Sequence, residues 1–258
     1  ANLVFWIGPD LTPWLTDTIK TLAPDAAVTA LMEVDGTIKL EFREGALFEA
    51  HAHEDDDDHV DEAHDDHDEE ARHDDHDDEE TGHEGHGQGA HDPHAWLSPQ
   101  NAMTWLNVIA GQLSAADPDN AGAYFTNAAA GRTEMEALIG EVIATLDPVR
   151  DGQFLVFHDA YQYFEMDFDF PASGAISIGD ASDPSPARIA EIQDRIAEQG
   201  IDCVLAEPQF NPGLVATVLD GTEAGTGMLD PLGSDLEPGP ALYSQLIRNL
   251  STALAGCM

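Results

Sequence analysis

Positive charge is scarce in this chain: 258 residues carry nine lysines and arginines against 51 aspartates and glutamates, a formal net charge of -42. A surface of that sign repels phosphate backbones and anionic headgroups and concentrates cations, so no nucleic-acid partner is expected and metal ions are favoured. Long apolar runs are missing too. None reaches 18 residues, so no segment is expected to span a bilayer as a helix. The usual catalytic signatures are also lacking, with no phosphate-binding glycine motif, no G-x-S-x-G and no H-E-x-x-H. An enzyme is therefore not expected. Cysteine occurs twice, as Cys203 in an apolar run and Cys257 at the second-last position. Spacing alone leaves buried thiols and a single disulfide both open. A bridge would need an oxidising compartment and would contribute about 4 kcal/mol on the loop-entropy model.

What the chain has in excess is histidine and acid in one place. Between His51 and His94 lie 11 of the 12 histidines and 20 of the acids, with Arg72 the single base. The composition forbids a core there, and residues 51–92 are expected to form a disordered loop. It holds four H-x-x-H pairs, His64/His67, His73/His76, His83/His86 and His91/His94. One helical turn brings such a pair to one face, where two imidazoles can chelate. Multiple, weak and exchangeable metal binding is the expected outcome, against the plainer reading of a solvated acidic loop.

Outside that segment the pattern is α/β. Residues 1–8 form an apolar run ended by Gly8-Pro9, which reads as a strand buried on both faces, and Leu11, Trp14, Leu15, Ile19 and Leu22 then take helical spacing. Chains seldom open in the middle of a sheet, so further sequence ahead of Ala1 is expected. Ser98-Pro99 marks a helix start, and residues 120–146 keep a helical period for about seven turns. After it strands and helices alternate: strands at 153–157, 175–178, 201–206 and 227–229, helices from Ala160, Pro186, Pro212 and Pro240. The resulting division is an N-terminal lobe (1–119), a linker helix (120–146) and a C-terminal lobe (147–258), each lobe a parallel sheet flanked by helices.

In open parallel sheets, ligands gather at the carboxyl ends of strands. His158 follows the strand Phe154-Leu155-Val156-Phe157, Asp230 follows Gly227-Met228-Leu229, and His94 opens the turn before the Ser98-capped helix. Two imidazoles and a carboxylate are three of the four ligands of a tetrahedral zinc site, the fourth left to water, a loop histidine or an upstream residue. Glu207, also after a strand, is a candidate ligand or base, and more readily an interlobe hydrogen-bonding residue. On residues alone a metal-storing protein with the loop as its working part, or a zinc hydrolase with Glu207 as base, stays open.

These residues carry a family resemblance. Leu3-Val4-Phe5-Trp6-Ile7-Gly8, the acidic His-rich insertion, Asp92-Pro93-His94-Ala95-Trp96-Leu97-Ser98-Pro99, Phe157-His158-Asp159-Ala160-Tyr161-x-Tyr163-Phe164, Ala206-Glu207-Pro208-Gln209-Phe210 and Leu229-Asp230-Pro231-Leu232-Gly233 together resemble the substrate-binding proteins of bacterial zinc ABC importers. The resemblance implies two α/β lobes joined by one rigid helix, Zn2+ in the cleft between them, a periplasmic monomer and delivery to an inner-membrane ABC permease. It implies His94 and His158 as ligands, and Asp230 as an aspartate that ligates in some members and sits behind the ligands in others. The family's first histidine has no matching residue here. Cys203 and Cys257 match a pair that is bridged in zinc-specific members. Manganese-type relatives carry a glutamate where His158 stands, a harder ligand, so the imidazole argues for zinc.

Overall fold

Ser98 is the kind of residue that starts a helix, and it does so: its hydroxyl accepts the Asn101 amide at 3.1 Å, Pro99 fills the first helical position, and α2 runs Pro99–Ala116. The structure is a computed structural model that describes residues 1–43, 48, 91–177 and 184–258. Its chain order opens with β1 (Leu3–Trp6), α1 (Leu15–Leu22) and β2 (Ala27–Ala30), ahead of α2. The long period read from 120 to 146 is α3 (Ala121–Leu146), whose inner stripe Ala128, Met135, Leu138, Val142 and Leu146 packs on α2 and on α7 (Leu242–Cys257). Between α3 and α7 come β3 (Phe154–His158), α4 (Gln162–Phe168), β4 (Gly174–Ser177), α5 (Pro186–Gln199), β5 (Cys203–Ala206), α6 (Pro212–Leu219) and β6 (Gly225–Met228).

Two parallel sheets result. β1 pairs with β2 in register Leu3↔Ala27 to Trp6↔Ala30, and the second sheet has the order β4-β3-β5-β6. β3, with a neighbour on each side, is buried at all five residues. β1 differs from expectation: among the described residues it pairs with β2 alone, and its four residues are half-buried rather than enclosed. The last strand also starts two residues early, because Gly225 and Gly227 follow β5 in ladder register against Cys203 and Leu205. Packing is tight at Gly227, where an added Cβ would stand 3.0 Å from Leu205 Cδ2 and 3.4 Å from Cys257 Sγ. That close approach lets the end of α7 reach β5, and Cys203 and Cys257 are joined as a disulfide. Among the described residues no helix is long and apolar enough to cross a membrane.

The larger core gathers Leu138, Leu146, Phe154, Tyr163, Phe164 and Phe168 around α3, α4 and one face of β3. A second cluster, Leu155, Phe157, Ile192, Ile196, Val204 and Val218, fills the other face under α5 and α6. With both faces of β3 packed, its carboxyl end, His158, is held on a rigid support.

Candidate metal centre

His158 is the last residue of β3 and Glu207 follows the last residue of the neighbouring β5. Adjacent parallel strands place those two ends side by side, and Glu207 Oε1 accepts the His158 amide at 3.3 Å and lies 2.6 Å from His158 Nδ1. Glu207 is thus a partner within its own sheet, in place of the interlobe hydrogen-bonding residue expected from sequence. His94 has a matching arrangement built locally. Asp92, 1% exposed, turns its Oδ1 back across Pro93 to accept the His94 amide at 2.9 Å and to meet His94 Nδ1 at 2.7 Å. In each ring the carboxylate selects the tautomer with its proton on Nδ1, so the lone pair belongs to Nε2.

The two rings face one another with centroids 5.3 Å apart and planes at 66°. Two imidazoles sharing one tetrahedral zinc, with Zn–N about 2.05 Å and the ring centroid about 1.15 Å behind its nitrogen, would have centroids about 5.2 Å apart. Ordinary aromatic packing also spans that separation, so the discriminating feature is the pair of carboxylate-held Nδ1 atoms. Trp96 and Phe210 flank the pair, at 5.3 Å from His94 and 5.2 Å from His158. Together with Leu11 and Leu232 they wall a cavity of about 360 Å³. The apolar lining strengthens electrostatic attraction for a cation inside.

Two polar atoms are left over at the floor. Glu207 Oε2 and the Tyr161 hydroxyl are buried and make no hydrogen bond of ordinary geometry. Burial first, then the charge of Glu207 and the hydroxyl's interaction with that carboxylate, and last the charge of Asp230, push the Tyr161 phenol well above its usual range.

Asp230 stands beyond β6 as expected, yet its oxygens are already engaged. Oδ1 accepts Gln209 Nε2 at 2.8 Å and the Leu232 amide at 3.1 Å, while Oδ2 accepts the Ser234 amide at 2.5 Å and the Ser234 hydroxyl at 2.7 Å. Those four bonds use the four lone-pair directions of a carboxylate. Partial burial pushes the Asp230 acid up, and the hydrogen bonds led by Ser234 and Gln209 outweigh it and hold the carboxyl below its usual range. Among the described residues no three His, Cys, Asp or Glu side chains converge as a metal shell. The structure therefore brings His94 and His158 together and leaves Asp230 tied in its own turn. His91 is half-buried at the edge of the described segment, and His64, His67, His73, His76, His83 and His86 lie outside the described residues.

The comparisons with known proteins meet this geometry. Residues 1–257 match the family described as ZnuA, zinc-uptake complex component A, periplasmic. The chain belongs to the ZnuA family. Among its relatives, the protein named high-affinity zinc uptake system protein ZnuA from Brucella abortus (strain 2308) is 47% identical over all of this chain and 77% of its own length. The protein of the same name from Paracoccus denitrificans (strain Pd 1222) is 42% identical, again over all of this chain and 77% of its own. A solved structure titled "Crystal structure of ZnuA" shares the fold, with a TM-score of 0.71 at 23% identity, covering all of this chain and 79% of that one. ZnuA-family membership thus stands beside a site whose two imidazoles are each backed by a carboxylate. Reading the sequence missed Asp92 as the residue that orients His94. The signal was present as acid and histidine two residues apart across a proline, a spacing that lets a side chain fold back on its neighbour.

Proposed function

We propose that this chain captures Zn2+ in the periplasm between His94 and His158 and delivers it to the permease of an ABC importer, without catalysing a reaction. The observation that carries the reading is the pair of neighbouring imidazoles, each ring with Nδ1 on a buried carboxylate and centroids 5.3 Å apart. The name and zinc-uptake description of the family support it, as does an apolar cavity around the pair. In this reading the ion lies between an N-terminal lobe, 1–119, and a C-terminal lobe, 147–258, with 120–146 as the linking helix. Asp230 joins as a third ligand by exchanging one of its four hydrogen bonds for the metal. The histidines of the 51–92 segment act as an auxiliary, weaker collector, and the net charge of -42 draws cations while keeping nucleic acid away. The protein works as a monomer.

Zinc titration against a competing chelator tests this. The 258-residue chain should show one tight site beside weaker ones. His158→Ala should abolish the tight class, Asp230→Ala should weaken it, and deletion of residues 51–90 should remove only the weak class. Retention of tight binding by His158→Ala, with its loss on deletion of the loop, would contradict the assignment.

A further inference from the structure

The two imidazoles come from segments 64 residues apart, yet they are not positioned independently. Asp92, which holds His94, is itself held by the start of α4. Gln162 Nε2 donates to Asp92 Oδ2 at 3.3 Å, and the Tyr163 hydroxyl donates to the Asp92 carbonyl at 2.7 Å. Tyr163 is completely buried, and the same hydroxyl accepts the Leu40 amide at 3.0 Å. Leu40 O in turn accepts the Asp92 amide at 2.8 Å, and Gln162 Nε2 donates also to Glu41 O at 3.0 Å. α4 begins four residues after His158 in the same polypeptide run. One short strand–helix unit therefore carries one ring and fixes the carboxylate that orients the other.

We propose that Gln162 and Tyr163 are positioning residues for the metal, acting through Asp92 on the ring of His94. Neither touches the ion. Their role is to keep Nε2 of His94 at the place where Nε2 of His158 can share its ligand, so that the two rings act as one chelate. The inference rests on His94 and His158 being the ligands.

The test is a mutant cycle on the full chain, with zinc as the probe in chelator competition. Tyr163→Phe removes the hydroxyl, and Gln162→Met removes the amide at a half-buried position. Each should weaken the tight site about 10- to 100-fold, the range for loss of a partner behind a metal ligand. In a His94→Ala background, where no ring remains to be positioned, the same substitutions should change residual affinity by less than about twofold, since coupled effects do not add. Loading with Co2+ adds a readout of ligand geometry: the visible absorption bands should shift in both single variants.

Unchanged affinity in both single variants overturns the proposal, and so does an equal loss in the His94→Ala background, which would mark a general structural effect. If His94→Ala and His158→Ala weaken binding while Tyr163→Phe and Gln162→Met do not, the coupling alone fails. If the histidine substitutions themselves leave tight binding intact, the ligand assignment fails with it.

Discussion

Arg43 shows what a single residue can hold together in a chain with so few cations. Its guanidinium bonds both Asp159 and Glu165, each with a side chain about 6% exposed, and lies 3.6 Å from the centroid of the Phe48 ring. Burial alone would lower its pKa, but the two carboxylates outweigh that and raise it above the ordinary arginine value. For Asp159 burial is the leading influence and lifts its carboxyl above the usual range even with Arg43 opposing. Arg43→Met would leave two buried acids without their cation, and a loss of about 3 kcal/mol is expected at neutral pH. A carboxyl whose folded pKa is raised contributes stability at low pH that is lost as pH rises through the folded value, and removing Arg43 enlarges that shift. The variant's deficit should therefore shrink on acidification, which urea unfolding at neutral and mildly acidic pH would check. An equal deficit at both would count against the ion-pair account. Beside it, Asp92→Ala should weaken zinc binding about 10- to 100-fold, with Asp92→Asn milder because its amide oxygen still accepts from His94 Nδ1. Isothermal titration of both variants would rank them.

Among the elements, those that were legible in the sequence were those with a local cause. Ser98, Ser185 and Asn211 each precede a proline and each side chain accepts an amide of the first turn, so α2, α5 and α6 begin where their capping residues predict. α3 was equally plain from its period. β6 was displaced because two glycines carry no apolar signal, and only the ladder with β5 shows that they belong to a strand. The site divides the same way. His94 and His158 could be picked out as metal-competent residues at the end of a strand and the start of a turn. The Arg43–Asp159–Glu165 cluster and the Tyr163–Asp92 contact could not, since they join residues about 70 to 120 positions apart through tertiary packing. At this scale Ser98→Ala should cost roughly 1 kcal/mol for the lost cap. It also removes the hydroxyl that donates to Asp167 Oδ2 at 2.8 Å. The thermal midpoint should fall by a few degrees; no change would mean that the cap is dispensable.

Taken as a whole, the molecule ties the surroundings of its two sheets together at several points, one of them in the cavity wall. Trp96 Nε1 donates to Pro231 O at 2.9 Å, Ser98 and Gln100 bond Asp167, and Leu40 meets Tyr163. At the far end the Cys203–Cys257 bridge fastens α7 to β5, closing 54 residues. Reduction should lower stability by about 4 kcal/mol on the loop-entropy model, read as a shift in the urea midpoint with and without reductant. Zinc binding should survive reduction under native conditions, because the bridge lies at the amino end of β5 whereas His158, with His94 beside it, lies at the carboxyl end of the neighbouring β3. The most direct test of the central claim is the anomalous difference density of crystals grown with zinc, recorded at the zinc edge. The account predicts a peak about 2.0–2.1 Å from Nε2 of both His94 and His158. A peak bound elsewhere, with those two rings bare, would contradict it.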